Sequence, residues 1–250
     1  MNLKNGVADL IYDVEYYDKV NTFTSDIPFY LELAKQANGP ILELCCGTGR
    51  ITMEIAKNGL DITGLDFTKS MLDGAKKKSK DNNFTIPFEL GDMRDFTLNK
   101  KYNLVFIPFN SIQNTYSRID YENIFKCVKK HLNENGIFAL DVFNPDLNYL
   151  VRDESELEEI HNFSLSSGEK VIIKQTMKYD EHDQINHVKW HHFIDGQEHI
   201  AHLDMRCFFP QELDMLLHYN GFEIISKYGN FEKDLFESKS PKQIYVCRIR

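Results

Sequence analysis

The chain predicts an α/β fold built on a mostly parallel sheet, and three observations carry that prediction. Between Pro40 and Phe143, short buried runs of Val, Ile and Leu alternate with amphipathic helical stretches, the pattern of βαβ units. A glycine pair, Gly47-Thr48-Gly49, marks the handover from the first apolar run to the helix after it. After Asn144-Pro145 the pattern changes to alternating strands, before a helix and two strands close the chain. With 250 residues and 42% hydrophobic content the chain can bury a sizeable core.

The elements follow in order. Ile41–Cys45 reads as the first strand, and residues 50–58 as a helix with Ile51, Ile55 and Ala56 on one face. Residues 61–66 read as the second strand, 69–79 as a helix and 85–90 as a third strand. Asn103–Pro108 is a fourth strand, 119–132 a helix, and Asn135-Gly136 a turn into the strand Ile137–Phe143. Residues 158–208 carry turn signals at Ser167-Gly168, Asp180–Asp183 and Asp195-Gly196, as expected of an inserted antiparallel sheet. Pro210 opens a helix that stops at Asn220-Gly221, and strands at 222–228 and 243–249 complete the first domain.

Composition removes several function classes. The 29 basic and 38 acidic residues leave a net charge of −9, which opposes nucleic-acid binding. The one basic run, Lys76–Lys80, suits the end of a helix, where cations meet the dipole. No stretch approaches the roughly 20 apolar residues of a membrane helix, and no apolar signal segment follows Met1. Five cysteines, with Cys45 and Cys46 adjacent, make neither a disulfide framework nor a paired metal site. A reduced cytoplasmic protein with buried thiols is expected. Oligomeric state is not legible.

The sharpest constellation is Glu43-Leu-Cys-Cys-Gly47-Thr-Gly49-Arg50, with Asp66 at the end of the second strand. Glycines there let backbone N–H groups approach a ligand at a helix N-terminus. A carboxylate at the position of Asp66 can accept both hydroxyls of a ribose. The dinucleotide fingerprint fits badly, since Thr52 takes the place of its third glycine. Glu43 would also repel a pyrophosphate but attract an ammonium.

These residues resemble the first motif, E/D-x-x-x-G-x-G, of the class I S-adenosylmethionine-dependent methyltransferases. Gly64–Leu72, Gly91–Phe96, Phe109-Asn110-Ser111, Asp141–Pro145 and Arg206–Leu213 with Gly221-Phe222 resemble that family's later motifs, in the right order. The subgroup it is most similar to is the small-molecule N-methyltransferases acting on glycine, sarcosine or amino sugars. The resemblance implies a Rossmann-like seven-stranded sheet with an antiparallel last strand, formed by residues 1–147 and 209–250. Residues 148–208 would be an inserted antiparallel lid covering the acceptor site.

By the resemblance, Glu43 holds the methionyl ammonium and Gly47 and Gly49 line the methionyl part. Arg50 pairs with the ligand carboxylate or forms a salt bridge within the protein. Asp66 binds the ribose. Phe67 and Met71 pack around adenine or belong to the core. Asp92 accepts from the adenine amine, and the Met93 N–H donates to a ring nitrogen. Phe109 and Asn110 lie near the transferable methyl. Tyr12 and Tyr17 either fold over the cofactor or belong to an ordinary amphipathic helix.

The insertion holds six histidines between His182 and His202. On a strand, His187 and His191 have Cα atoms roughly 13 Å apart, too far for one zinc ion with bonds of about 2 Å. Asp141, Asn144 and Asp146 fit a magnesium site poorly, so no metal is expected. A two-residue turn at Asp195-Gly196 places His192 opposite His199. One face then carries Val188, Trp190, His192, Ile194, His199, Ala201, Leu203 and Met205, while Arg206 falls on the polar face. Trp190, His192 and His199 are the candidate substrate contacts, with either histidine a candidate proton acceptor; core packing is the plainer alternative.

The expected activity is in-line methyl transfer from S-adenosylmethionine to a small-molecule acceptor, an amine by preference, yielding S-adenosylhomocysteine without an assigned general base. A nicotinamide-dependent oxidoreductase and a non-catalytic S-adenosylmethionine-binding protein are the alternatives. Neither a nucleic-acid nor a membrane partner is expected.

Overall fold

A computed structural model describes residues 13–250. Tyr12 lies outside the described residues. The helices are α1 (Val14–Val20), α2 (Ile27–Ala37), α3 (Arg50–Lys57), α4 (Lys69–Asp81), α5 (Arg118–His131), α6 (Leu147–Leu150) and α7 (Pro210–Tyr219). The strands are β1 (Ile41–Leu44), β2 (Ile62–Asp66), β3 (Phe88–Leu90), β4 (Tyr102–Ile107), β5 (Leu132–Phe143), β6 (Glu158–Ser164), β7 (Lys170–Asp180), β8 (Ile185–Ile194), β9 (Gln197–Arg206), β10 (Phe222–Tyr228) and β11 (Lys242–Ile249). Contacts divide the chain into two compact units. One is Phe23–Asn144 with Phe208–Arg250, the other residues 13–22 with Pro145–Cys207.

The first unit is a seven-stranded sheet in the order β10-β11-β5-β4-β1-β2-β3. Strands β1 to β5 run parallel, and β11 runs against both β5 and β10. Helices cover both faces, which is why β1 is buried along its whole length. Side chains alternate across the sheet, so Leu42 and Leu44 join Val105, Ile107 and Phe125 in one apolar cluster. Ile41 joins Phe29, Tyr30, Ile51, Ile55 and Phe106 in the other. Glu43 shares the parity of Ile41 and therefore points toward α3.

Local signals account for the helix ends. Ser117 and Asp120 form a reciprocal capping box at the start of α5. Lys78 and Lys80 fall in the last turn of α4, where the basic run suits the helix dipole. Several elements depart from the sequence reading, the short α6 among them. Strand β3 begins at Phe88 instead of residue 85, because Pro87 has no N–H to pair and offers only its carbonyl, to Gly64 N. Strand β5 begins at Leu132, paired with Tyr102, and a register shift absorbs the Asn135-Gly136 stretch expected as a turn. Helix α2 was not anticipated, although Pro28 in its first turn is a start signal.

The second unit is a four-stranded antiparallel sheet, β6-β7-β8-β9. Asp195 and Gly196 both have positive φ, at 47° and 80°, the requirement of a type I′ hairpin turn. The register pairs Ile194 with Gln197 and His192 with His199, as the sequence pairing predicts. Tyr16 and Val20 of α1 pack with Val171 and Ile173 of β7. That packing is why α1 groups with this sheet and not with the residues that follow it, a boundary the sequence reading placed differently.

Among the described residues no helix is long and apolar enough to cross a membrane. Cys46, Cys207 and Cys247 are buried, whereas Cys45 and Cys127 are only partly so.

Candidate cofactor site and its family

The loop between β1 and α3 is held in an unusual backbone conformation. Cys45, Gly47 and Gly49 have φ of 58°, 54° and 81°, the left-handed region that glycine tolerates and a cysteine does not favour. A Cβ on Gly49 would meet Ala75 and Phe88 only at ordinary contact distance, so backbone angle, not space, requires glycine there. Gly64 is the reverse case: a Cβ would sit 2.8 Å from Cys46 Sγ and 2.9 Å from the Phe88 ring, so β2 must be bare beneath the loop.

Two buried carboxylates bracket this loop. Asp66, at the end of β2, accepts the Gly47 N–H at 2.8 Å on one oxygen and the Thr68 N–H at 2.8 Å on the other. It thereby ties the loop after β1 to the loop after β2, and each oxygen keeps a second lone pair. Burial raises its pKa, against the opposing pull of those N–H groups. Glu43 is buried and accepts the Thr52 hydroxyl. Burial pushes its carboxyl up to about 8, outweighing the Thr52 hydrogen bond and the Arg50 charge.

Arg50 forks onto Asp26, with contacts of 2.5 and 2.6 Å, and also donates to the Phe23 carbonyl. The structure thus places Arg50 in a protein salt bridge, one of the two alternatives its position allowed. Its guanidinium also lies 5.1 Å from the centre of the Phe109 ring. The loop therefore sets a glycine backbone between two acids, with the Gly47 N–H given to Asp66 and the Gly49 N–H to the Cys46 carbonyl, while its nearest cation is committed to Asp26. Two acids with no uncommitted cation suit a ligand with an ammonium and a ribose better than a pyrophosphate. Thr52, standing where a dinucleotide fold needs glycine, is fully buried and bonded to Glu43.

The remaining expected residues of this unit divide. Phe67 is 40% exposed beside Asp66, whereas Met71 is buried in α4. Met93 is buried in the apolar cluster with Leu65 and Phe96. Asp92 is half-buried; burial raises its carboxyl, but hydrogen bonds from Arg94 prevail and hold it below the usual range. Phe109 and Asn110 follow β4 with φ of 55° and 61°. The Phe109 N–H donates to Asp141, and Lys242 Nζ donates to Asn110 Oδ1 at 2.7 Å.

In the second unit Tyr17 is half-buried on α1 and Trp190 is partly buried on β8. His192 is fully buried, while its cross-strand neighbour His199 is exposed. Tyr16 O and His192 Nδ1 are 2.5 Å apart. Burial pushes the Tyr16 hydroxyl far up and His192 down to about 4, so both are neutral near pH 7. The economical arrangement has Tyr16 donating to Nδ1, which leaves the proton on Nε2; Nε2 is buried without a partner among the described residues. Arg206 is buried on the polar face, donating to Gln184 and the Cys207 carbonyl. Among the described residues no group of three or more His, Cys, Asp or Glu side chains is arranged to hold a metal.

The sequence reading passed over Asp26 and Lys242, chose Tyr12 and Tyr17 over the neighbouring Tyr16, and noted Asp141 only at a strand end and as a poor magnesium ligand. Asp26 had a local signal, its place just before the Pro28 helix start. The others are brought in by tertiary contact from more than 100 residues away.

Comparisons with known proteins agree with this geometry. Residues 41–136 match the family described as "Methyltransferase domain". The chain is 30% identical over 156 residues to the putative methyltransferase YqeM of Bacillus subtilis, covering 54% of this chain and 63% of that protein. It therefore matches less than two thirds of that relative's length. The solved structure of the CcbJ methyltransferase from Streptomyces caelestis superposes with a TM-score of 0.79 at 20% identity, over 97% of this chain and 99% of that one. The S-adenosylmethionine-bound amino pentose methyltransferase CalS10 from Micromonospora echinaspora superposes at 0.70 with 15% identity, over 98% and 99%. Residues 41–136 thus match a methyltransferase domain, within a chain whose fold is that of solved S-adenosylmethionine-dependent methyltransferases.

Proposed function

We propose that this protein moves the methyl group of S-adenosylmethionine to an amine of a small molecule. The observation that carries the reading is the pair of buried acids, Glu43 and Asp66, on either side of a glycine loop whose nearest arginine is already paired. Glu43 takes the methionyl ammonium and Asp66 the ribose hydroxyls. Gly47 and Gly49 let the backbone approach between them. Phe67 and Met71 flank the adenine, with Asp92 and the Met93 N–H on its edge. Arg50, held by Asp26, and Phe109 border the methionyl side.

When bound, S-adenosylmethionine supplies an already activated sulfonium methyl, so the protein's work is alignment and exclusion of water. Asn110 contacts the acceptor. The inserted sheet, with Trp190, His192 and His199, carries acceptor selection. An attacking amine must be neutral, and a His192 whose pKa lies near 4 is a poor sink for the proton of an alkylammonium with a pKa of about 10. His192 therefore contributes a hydrogen bond, and the proton leaves to solvent. An amine acceptor is supported by the likeness to the amino pentose methyltransferase.

The test is transfer of isotope from methyl-labelled S-adenosylmethionine into a panel of amines that includes amino-sugar nucleotides, read by mass spectrometry. Labelled N-methyl product in an amine fraction supports the proposal. Binding of S-adenosylmethionine with label in no acceptor of any class would favour a non-catalytic binding protein. Stabilisation by NAD but not by S-adenosylhomocysteine would favour an oxidoreductase.

A further inference from the structure

Two consecutive non-glycine residues with left-handed backbone follow β4: Phe109 at φ 55° and Asn110 at φ 61°. Such a pair is unfavourable and persists only where its surroundings hold it. What holds it is a buried carboxylate. Asp141, fully buried on β5, accepts the Phe109 N–H at 2.8 Å and the Tyr30 hydroxyl at 2.7 Å on one oxygen. On its other oxygen it accepts Lys242 Nζ at 2.9 Å. Lys242, at the first position of the neighbouring strand β11, has a side chain only 17% exposed and donates onward to Asn110 Oδ1 at 2.7 Å. Both ends of the strained pair are thus tied to one ion pair, the first through its backbone and the second through its side chain.

The direction of the last bond has a chemical consequence. An ammonium has only donors, so Lys242 requires the oxygen of the Asn110 amide to turn toward it. The NH2 end is then the part left over, and Asn110 Nδ2 has no partner among the described residues. The loop lies at the carboxyl end of β4, the side of an open α/β sheet on which ligands bind.

We propose that Lys242 is a positioning residue for the β4 loop: clamped by Asp141, it holds Asn110 Oδ1 inward, so that this loop offers a methyl acceptor the N–H donors of the Asn110 amide. What Asn110 meets rests on the function proposed above; how Asn110 is turned does not. Asn110 so turned hydrogen-bonds an oxygen or nitrogen lone pair of the acceptor and takes no proton from it. Lys242 touches neither cofactor nor acceptor and acts through Asn110.

Nuclear magnetic resonance of asparagine-labelled protein tests this, with the Asn110 side-chain signals assigned by their loss in Asn110→Asp. In the unsubstituted protein the Asn110 NH2 should give two well-separated resonances, and the Phe109 amide should exchange slowly. Lys242→Met should collapse that pair toward the position of a free amide and speed Phe109 exchange at least about tenfold. Lys242→Arg, which keeps a cationic donor, should restore both. Lys242→Gln serves in place of Lys242→Met if the latter does not fold, with the same expectation for Phe109. Unchanged Asn110 and Phe109 signals in the Met or Gln variant, or an Arg variant indistinguishable from them, would overturn the proposal. Calorimetry with S-adenosylhomocysteine on the same samples separates the two readings: absence of binding sinks the methyltransferase function, while the resonance data still decide the clamp.

Discussion

The glycine loop and the inserted sheet both bury titratable side chains, and they do so with opposite electrostatic consequences. At the loop the buried groups are acids, Glu43 and Asp66, and burial raises both. In the sheet the buried group is a base, His192, and burial lowers it. Burial disfavours the charged form of each, but an acid that gives up its proton can pair with a cation at the loop, whereas the sheet presents a neutral donor. The loop is also built from neighbours in sequence, joined by backbone N–H groups. The sheet's site is assembled by cross-strand pairing and by a tyrosine 176 residues away from His192.

Loop and sheet should respond to pH with opposite sign. Glu43 has a folded-state pKa of about 8 against 4.5 when exposed, so the folded state holds a proton that the unfolded state has lost. Its stabilising contribution is complete below pH 4.5 and disappears as pH rises to about 8, a difference of up to about 5 kcal/mol. Glu43→Gln should remove that slope, giving a flatter melting temperature from pH 5 to 9 and a higher one at pH 9. An unchanged profile would mean that Glu43 is charged in the folded protein. His192 has the opposite sign: its folded-state pKa near 4 lies below the exposed value of 6.5, so it costs stability as pH falls from 6.5 through 4. His192→Gln should shift acid unfolding to lower pH without altering the alkaline limb.

The next effect in size concerns the ion pair beside the loop. Asp26 is fully buried and takes both arms of Arg50. Asp26→Ala should cost about 1.5–3 kcal/mol in urea unfolding, the scale of hydrogen bonds to charged groups. A loss below about 0.5 kcal/mol would show the pair to be no more than a solvated contact. The smallest change belongs to the sheet. Tyr16→Phe removes one neutral hydrogen bond and leaves His192 Nδ1 without its donor, so a loss of about 1 kcal/mol is expected. A neutral result in urea titration would argue that Nδ1 is hydrated.

How much was legible in the sequence follows from the same contrast. The order of the strands and of the helices between them, the loop, both acids and even the His192–His199 register depend on spacing along the chain or on one turn and can be read from it, whereas α2 and α6 were not. Tyr16 could not be, because nothing local distinguishes it from Tyr12 and Tyr17; only packing against β7 and β8 selects it. Asp141 drew notice as an acid at a strand end, but its partners Tyr30 and Lys242 are brought together by the sheet order, not by proximity in sequence. Arg50 was visible, and its choice of Asp26 was not, because the pair joins residues 24 apart through the cap of a helix that was not anticipated. The start of β5 was misplaced for a related reason: a register shift absorbs a turn-like Asn-Gly pair inside a strand.

The role proposed for the loop between β1 and α3 is to bind a sulfonium nucleoside through Asp66 and Glu43. Calorimetric titration of S-adenosylhomocysteine and S-adenosylmethionine into the protein and into Asp66→Ala tests it most directly. Low-micromolar binding to the unsubstituted protein is expected, weakened by roughly 1–3 kcal/mol in the variant. No heat from either ligand at high concentration, or equal affinity for both forms of the protein, would contradict it.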